Sequence, residues 1–127
     1  MSSGSSLYQE GGTVAVEVDS VLTVQSISAS GVLVIDYSAG KHVILTLTGN
    51  ITDISFTGWP ADGLFARLTI EIHNTGAFGI TGWPPLVKWA GSDPIITQGI
   101  GAEDWLAITT STAGAAMNGH IVGQNYT

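Results

Sequence analysis

The stretch "LFARLTIEIH", residues 64–73, alternates strictly: Leu64, Ala66, Leu68, Ile70 and Ile72 fall on one side, Phe65, Arg67, Thr69, Glu71 and His73 on the other. Successive side chains of a strand point to opposite faces, so this pattern predicts a strand with one face in a core and one toward water. Half-burial of that kind is the habit of antiparallel sheets.

The same period recurs on both sides of it. "HVILTLTG", residues 42–49, sets Val43, Leu45 and Leu47 inward, and "NITDISF" follows through Gly49-Asn50, a dipeptide that predicts a hairpin. Upstream come "TVAVEV" (13–18, with Val14, Val16 and Val18 on one face), "VLTVQSI" (21–27) and "VLVID" (32–36), then a turn at "YSAGK". Downstream candidates are residues 77–81, 86–89, 95–98, 105–110 and 120–123. No segment sustains a helical period with caps, and 17 glycines punctuate the chain at short intervals. About ten short strands with turns between them predict an all-β fold, an antiparallel β-sandwich or jelly-roll-like single domain. It is expected to span residues 13–127. Residues 1–12, "MSSGSSLYQEGG", read as a flexible N-terminal arm with two larger anchors, Leu7 and Tyr8.

Charge narrows the function classes. Only 10% of the 127 residues are charged, against about 25% in ordinary soluble domains, while 44% are hydrophobic. Ten acidic residues face Lys41, Arg67 and Lys88, for a net charge of −7. Binding to nucleic acid or to an anionic membrane surface rests on clustered Lys and Arg, and neither partner is expected here. No apolar run is long enough to span a bilayer, and the first residues lack the basic and apolar regions of a signal peptide. A surface of Ser, Thr, Gly and apolar residues suits a protein covered by its own copies or by a larger assembly.

Catalytic and metal-binding signals are few. With no cysteine there is no disulfide, thiolate site or cysteine nucleophile. Nucleophile elbows, phosphate loops and paired-histidine zinc motifs do not occur. His42, His73 and His120 lie far apart in sequence and name no ligand set. Adjacent Glu103 and Asp104 would point to opposite faces of a strand, and Asp36, Asp53, Asp62 and Asp93 sit beside turn-forming residues as caps. No carboxylate pair is marked for glycosidic chemistry. The expectation is a non-enzymatic protein without cofactor or metal. Two sequons, at Asn50 and Asn125, read as chance matches.

The tetrapeptide "TGWP" occurs twice, at 57–60 and 81–84. Proline forces the residue before it into an extended conformation and donates no ladder hydrogen bond, so each tryptophan should close a strand where the preceding glycine relaxes the backbone. Two structural corners are one reading. In another, Trp59, Trp83 and Trp89 form an exposed platform for sugar stacking, and in a third they meet a neighbouring subunit.

Several of these elements together resemble a module of bacteriophage and prophage virion proteins of the tail fibre or receptor-binding type. The resemblance rests on "DYSAGKHVILTLTGNIT", "GLFARLTIEI", "GITGWPPLVKWAGSDPIIT" and the strand at 105–110, and covers residues 36 to about 110. The chain departs from it in closing with "TSTAGAAMNGHIVGQNYT". What the resemblance implies is a virion structural protein without a catalytic motif. With the arm and the sparse charge it gives the expectation of a capsid decoration or cement protein on the outer shell surface. Such a protein is made in the bacterial host cytoplasm, self-associates as a trimer and docks on the major capsid protein or another virion protein. Leu7, Tyr8, Trp59, Trp83 and Trp89 are the candidate docking residues. The alternative is a tail fibre or spike adhesin that binds host surface glycans.

Overall fold

A computed structural model describes residues 23–127, which form one all-β domain: β1 (Val24–Asp36), β2 (His42–Thr57), β3 (Ala66–Asn74), β4 (Val87–Trp89), β5 (Glu103–Thr110) and β6 (Met117–Tyr126). Hydrogen bonds join them in the order β1-β2-β3-β5-β6-β4. The expected arm with Leu7 and Tyr8, and the strand at 13–18, lie outside the described residues.

The all-β expectation holds, but the pairing departs from an antiparallel sandwich or jelly roll. β3–β5 and β5–β6 are antiparallel. β1–β2, β2–β3 and β4–β6 are parallel. Gly49-Asn50 is therefore no hairpin. Residues on either side of it pair not with each other but with β1, Leu45 with Ile27 and Ile54 with Leu33.

Parallel strands normally need a long crossover, yet only the short 3-10 turn Tyr37–Ala39 and its flanks separate β1 from β2. The chain manages this by doubling back within each strand. Gln25 donates its side-chain amide to the carbonyl of Asp36 at 2.7 Å and to that of Gly40 at 2.8 Å. In a straight strand Gln25 and Asp36 would be roughly 35 Å apart, at about 3.3 Å per residue. β1 must bend near Gly31, where the register shifts, and β2 bends beside it near Gly49-Asn50. Each long strand is thus two arms, and the chain winds as a flattened coil of two layers.

The first layer stacks the leading arms of β1 and β2 on β3. The second stacks their trailing arms, extended by the bridge between Ile51 and Ile80 and by a hydrogen bond from Ile54 N to Gly82 O at 2.9 Å. β5 then pairs antiparallel on the far edge of β3, and the β5–β6 hairpin continues that layer.

Between the layers lies the core, built of aliphatic ladders that the register dictates. Ile27, Leu45 and Ile72 are successive partners, and so are Val43, Ile70 and Leu106. Leu33, Ile35, Ile51 and Ile54 meet them from the second layer within the same core cluster. Burying a side chain of this size contributes roughly 1.5–3 kcal/mol relative to exposure. The alternation read at residues 64–73 is correct in phase from Ala66 onward, whereas Leu64 and Phe65 precede the strand and are exposed.

The two "TGWP" segments are corners with different demands. Gly58 has φ +74°, and a Cβ there would sit 2.0 Å from the Asp36 carboxylate, which itself caps the 3-10 turn by accepting from Ser38 N at 3.0 Å. Gly82 lies in the second layer, and a Cβ would meet the backbone oxygen of Thr52 at 2.1 Å. The first needs glycine for the turn, the second for close strand approach.

Asp104 and Asn74 are buried polar exceptions inside this apolar packing. The Asp104 carboxylate accepts from Thr97 N (2.7 Å), Asn125 N (2.9 Å) and Gln124 Nε2 (3.2 Å), tying the loop before β5 and the end of β6 to the core. Asn74 bridges the carbonyls of Phe78 and Thr97. Buried donors stripped of their acceptor keep their full desolvation penalty. Asp104→Ala should therefore destabilise the domain by about 2–4 kcal/mol, seen as a lower urea midpoint at an unchanged denaturant slope.

Candidate functional site

The outward face of the first layer carries polar groups that sequence spacing does not connect. On β3, Glu71 and His73 are two apart and share that face. The register sets Ile44 of β2 and Trp105 of β5 on either side of Glu71, and Glu103 opposite His73. His42 reaches in from the start of β2. Residues of three adjacent strands thereby gather around Glu71 and His73.

The Glu71 oxygens are divided between two imidazoles. His42 Nε2 lies 2.9 Å from Oε1, and His73 Nε2 lies 2.5 Å from Oε2. The other ring nitrogen of His73 is 3.6 Å from Glu103 Oε1. Trp105 donates Nε1–H to Glu103 Oε2 at 2.5 Å, and its ring centroid is 5.2 Å from that of His42. Glu71 and His42 are largely covered, whereas His73 is 38% exposed and open to water. A shallow groove lined by Glu103, Trp105, Val122 and Tyr126 adjoins the cluster.

Burial raises the pKa of Glu71, but hydrogen bonds from His42 and His73, with their charges, outweigh it and hold the carboxyl below its ordinary value of 4.5. The cluster is thus an ionised carboxylate clasped by two histidines, with a second carboxylate beside it. Glu71, His73 and Glu103 can each offer a ligand atom, all within 4.8 Å of one another.

This set was missed in sequence because its members come from separate strands in no fixed motif. The one available signal was the polar face of residues 64–73, where Glu71 and His73 stand at strand spacing. The separation expected of Glu103 and Asp104 is found: Glu103 faces outward to His73, and Asp104 is buried in the core. His120 is apart from the cluster and meets Thr109 Oγ1 at 3.0 Å.

The tryptophans are placed elsewhere. Trp59 packs at its corner against Tyr37 (centroids 5.1 Å) and Phe56 (6.0 Å). Trp83 is only 7% exposed and meets Trp89 edge-on at 5.1 Å. The indole nitrogens of all three are buried. Together they border the core rather than form one open aromatic face. Leu7 and Tyr8 lie outside the described residues.

No family model, curated protein or solved structure matches this chain.

A carboxyl whose folded pKa is depressed adds stability above its unfolded value and loses it as pH falls through the folded one. Glu71→Gln should lower the thermal midpoint at pH 7 in chelator-containing buffer. The loss should shrink as pH falls below 4.5 and through the lower folded-state value, where wild-type Glu71 also takes up its proton. Thermal melts of both proteins across that range check this.

Proposed function

We propose that the chain is a non-enzymatic structural protein of a bacteriophage virion that works by covering and being covered: it self-associates and decorates the outer surface of the capsid. The observation that carries this reading is the apolar character of its exposed surface. Val32 and Val34 stand outward on β1 at 68% and 54% exposure, and Ile95 and Ile100 project from loops at 86% and 88%. Scattered exposed aliphatics are ordinary, but here they occur on a chain with 10% charged residues.

Among the described residues β1 is the edge strand of its sheet, and this supports the same reading. Apart from Asp36 at its end, the strand has no charged residue, and it contains no proline. Sheet edges are usually defended by Lys, Pro or bulges that turn them away; β1 has its register shift at Gly31 but neither Lys nor Pro. The occupant that fits is a second copy of the chain, which would bring an equally uncharged strand. The sequence resemblance to phage virion modules of the tail fibre or receptor-binding type supplies the virion setting, and trimer is the expected stoichiometry.

The tail adhesin reading needs aromatic faces open to a sugar. Packing of Trp59 against Tyr37 and Phe56, and of Trp83 against Trp89, favours the decorating role over it.

Cryo-electron microscopy of the parent particle, with light scattering of the purified chain, tests the proposal. The expected result is an oligomer in solution and extra density repeated over the capsid lattice. Density confined to the tail, or a monomer that never joins the particle, would overturn it.

A further inference from the structure

We infer that the outward face of β3 and β5 is a binding site for a divalent transition-metal ion of the zinc class, with Glu71, His73 and Glu103 as its protein ligands. The ligand atoms already stand within 4.8 Å of one another, on two strands hydrogen-bonded in fixed register. One imidazole and two carboxylates, without sulfur, form a donor set suited to Zn²⁺ and its neighbours, while the imidazole selects against Mg²⁺ and Ca²⁺.

A second observation is the way the two carboxylates are held. Each has one oxygen engaged by an outer partner, Glu71 Oε1 by His42 and Glu103 Oε2 by Trp105. The remaining oxygens, Glu71 Oε2 and Glu103 Oε1, both turn toward His73. Metal sites commonly fix ligand carboxylates and imidazoles through such outer hydrogen bonds. His73 now spans the two carboxylates with its two nitrogens. Its exposure leaves the ring room to swing so that one nitrogen ligates, and solvent can complete the coordination. The bound ion would offset the repulsion between Glu71 and Glu103.

Isothermal titration of the full chain with ZnCl₂ in a non-coordinating buffer at pH 7.5 tests this, with MgCl₂ as the comparison and circular dichroism to confirm that each variant is folded. The expected result is one saturable Zn²⁺ site, a raised thermal midpoint, and no Mg²⁺ binding. His73→Asn should abolish the site. Trp105→Phe, which spares all three ligands, should weaken it by roughly 10- to 100-fold, and His120→Asn should leave it unchanged. Should His73→Asn not fold, X-ray absorption of the zinc-loaded wild type replaces it, with an imidazole in the shell at about 2.0–2.1 Å as the expected signature. Absence of a Zn²⁺ heat and stability shift would overturn the assignment. So would undiminished binding in His73→Asn, loss of binding in His120→Asn, or a shell without imidazole.

Discussion

Stacking of aliphatic ladders between two layers is the interaction on which the rest of the structure depends. Ile27, Leu45 and Ile72 are neighbours through backbone register, and the core closes only because β1 and β2 each double back to bring Leu33, Ile35, Ile51 and Ile54 over them. A straight sheet with this sequence would leave one apolar face in water. At roughly 25 cal/mol per Å² of apolar surface, that exposure is costly enough to drive the reversal. Glycine at the bends and the Gln25 amide on the corner carbonyls then make the reversal geometrically possible.

Much of this was legible in the sequence, and what was not has a single cause. Period-two alternation named the correct inward residues in β2 and β3, because side-chain direction is a local property of a strand. Partner direction is not local. Alternation is ordinarily read as antiparallel because parallel sheets are usually covered on both faces by helices and lose the pattern. A coil of strands buries one face of each parallel layer against the other and needs no helices, so the half-buried pattern survives. Gly49-Asn50 has hairpin chemistry, yet it serves as a bend between two arms that both pair with β1. The "TGWP" corners were readable as corners, whereas the distinct roles of Gly58 and Gly82 depended on which backbone lay beside them.

The polar cluster follows the same division. That Glu71 and His73 share an outward face is local and is readable from the alternation alone. That His42, Glu103 and Trp105 join them is a consequence of parallel register on one side of β3 and antiparallel register on the other. The change of direction at β3 is thus both the end of the coil and the place where ionisable groups gather. Around it the surface is sparsely charged, which makes the clasped carboxylate distinct from an ordinary solvated patch.

Because the chain has no cysteine, paired cysteines report on strand register without interference. Ser28 and Thr46 are direct partners in the parallel arrangement of β1 and β2, whereas a hairpin at Gly49-Asn50 would set Thr46 opposite Asp53. Mild oxidation should close an intramolecular bridge in the Ser28→Cys/Thr46→Cys protein and not in the Thr46→Cys/Asp53→Cys protein. The reverse outcome, bridging of Thr46→Cys with Asp53→Cys alone, would contradict the coil.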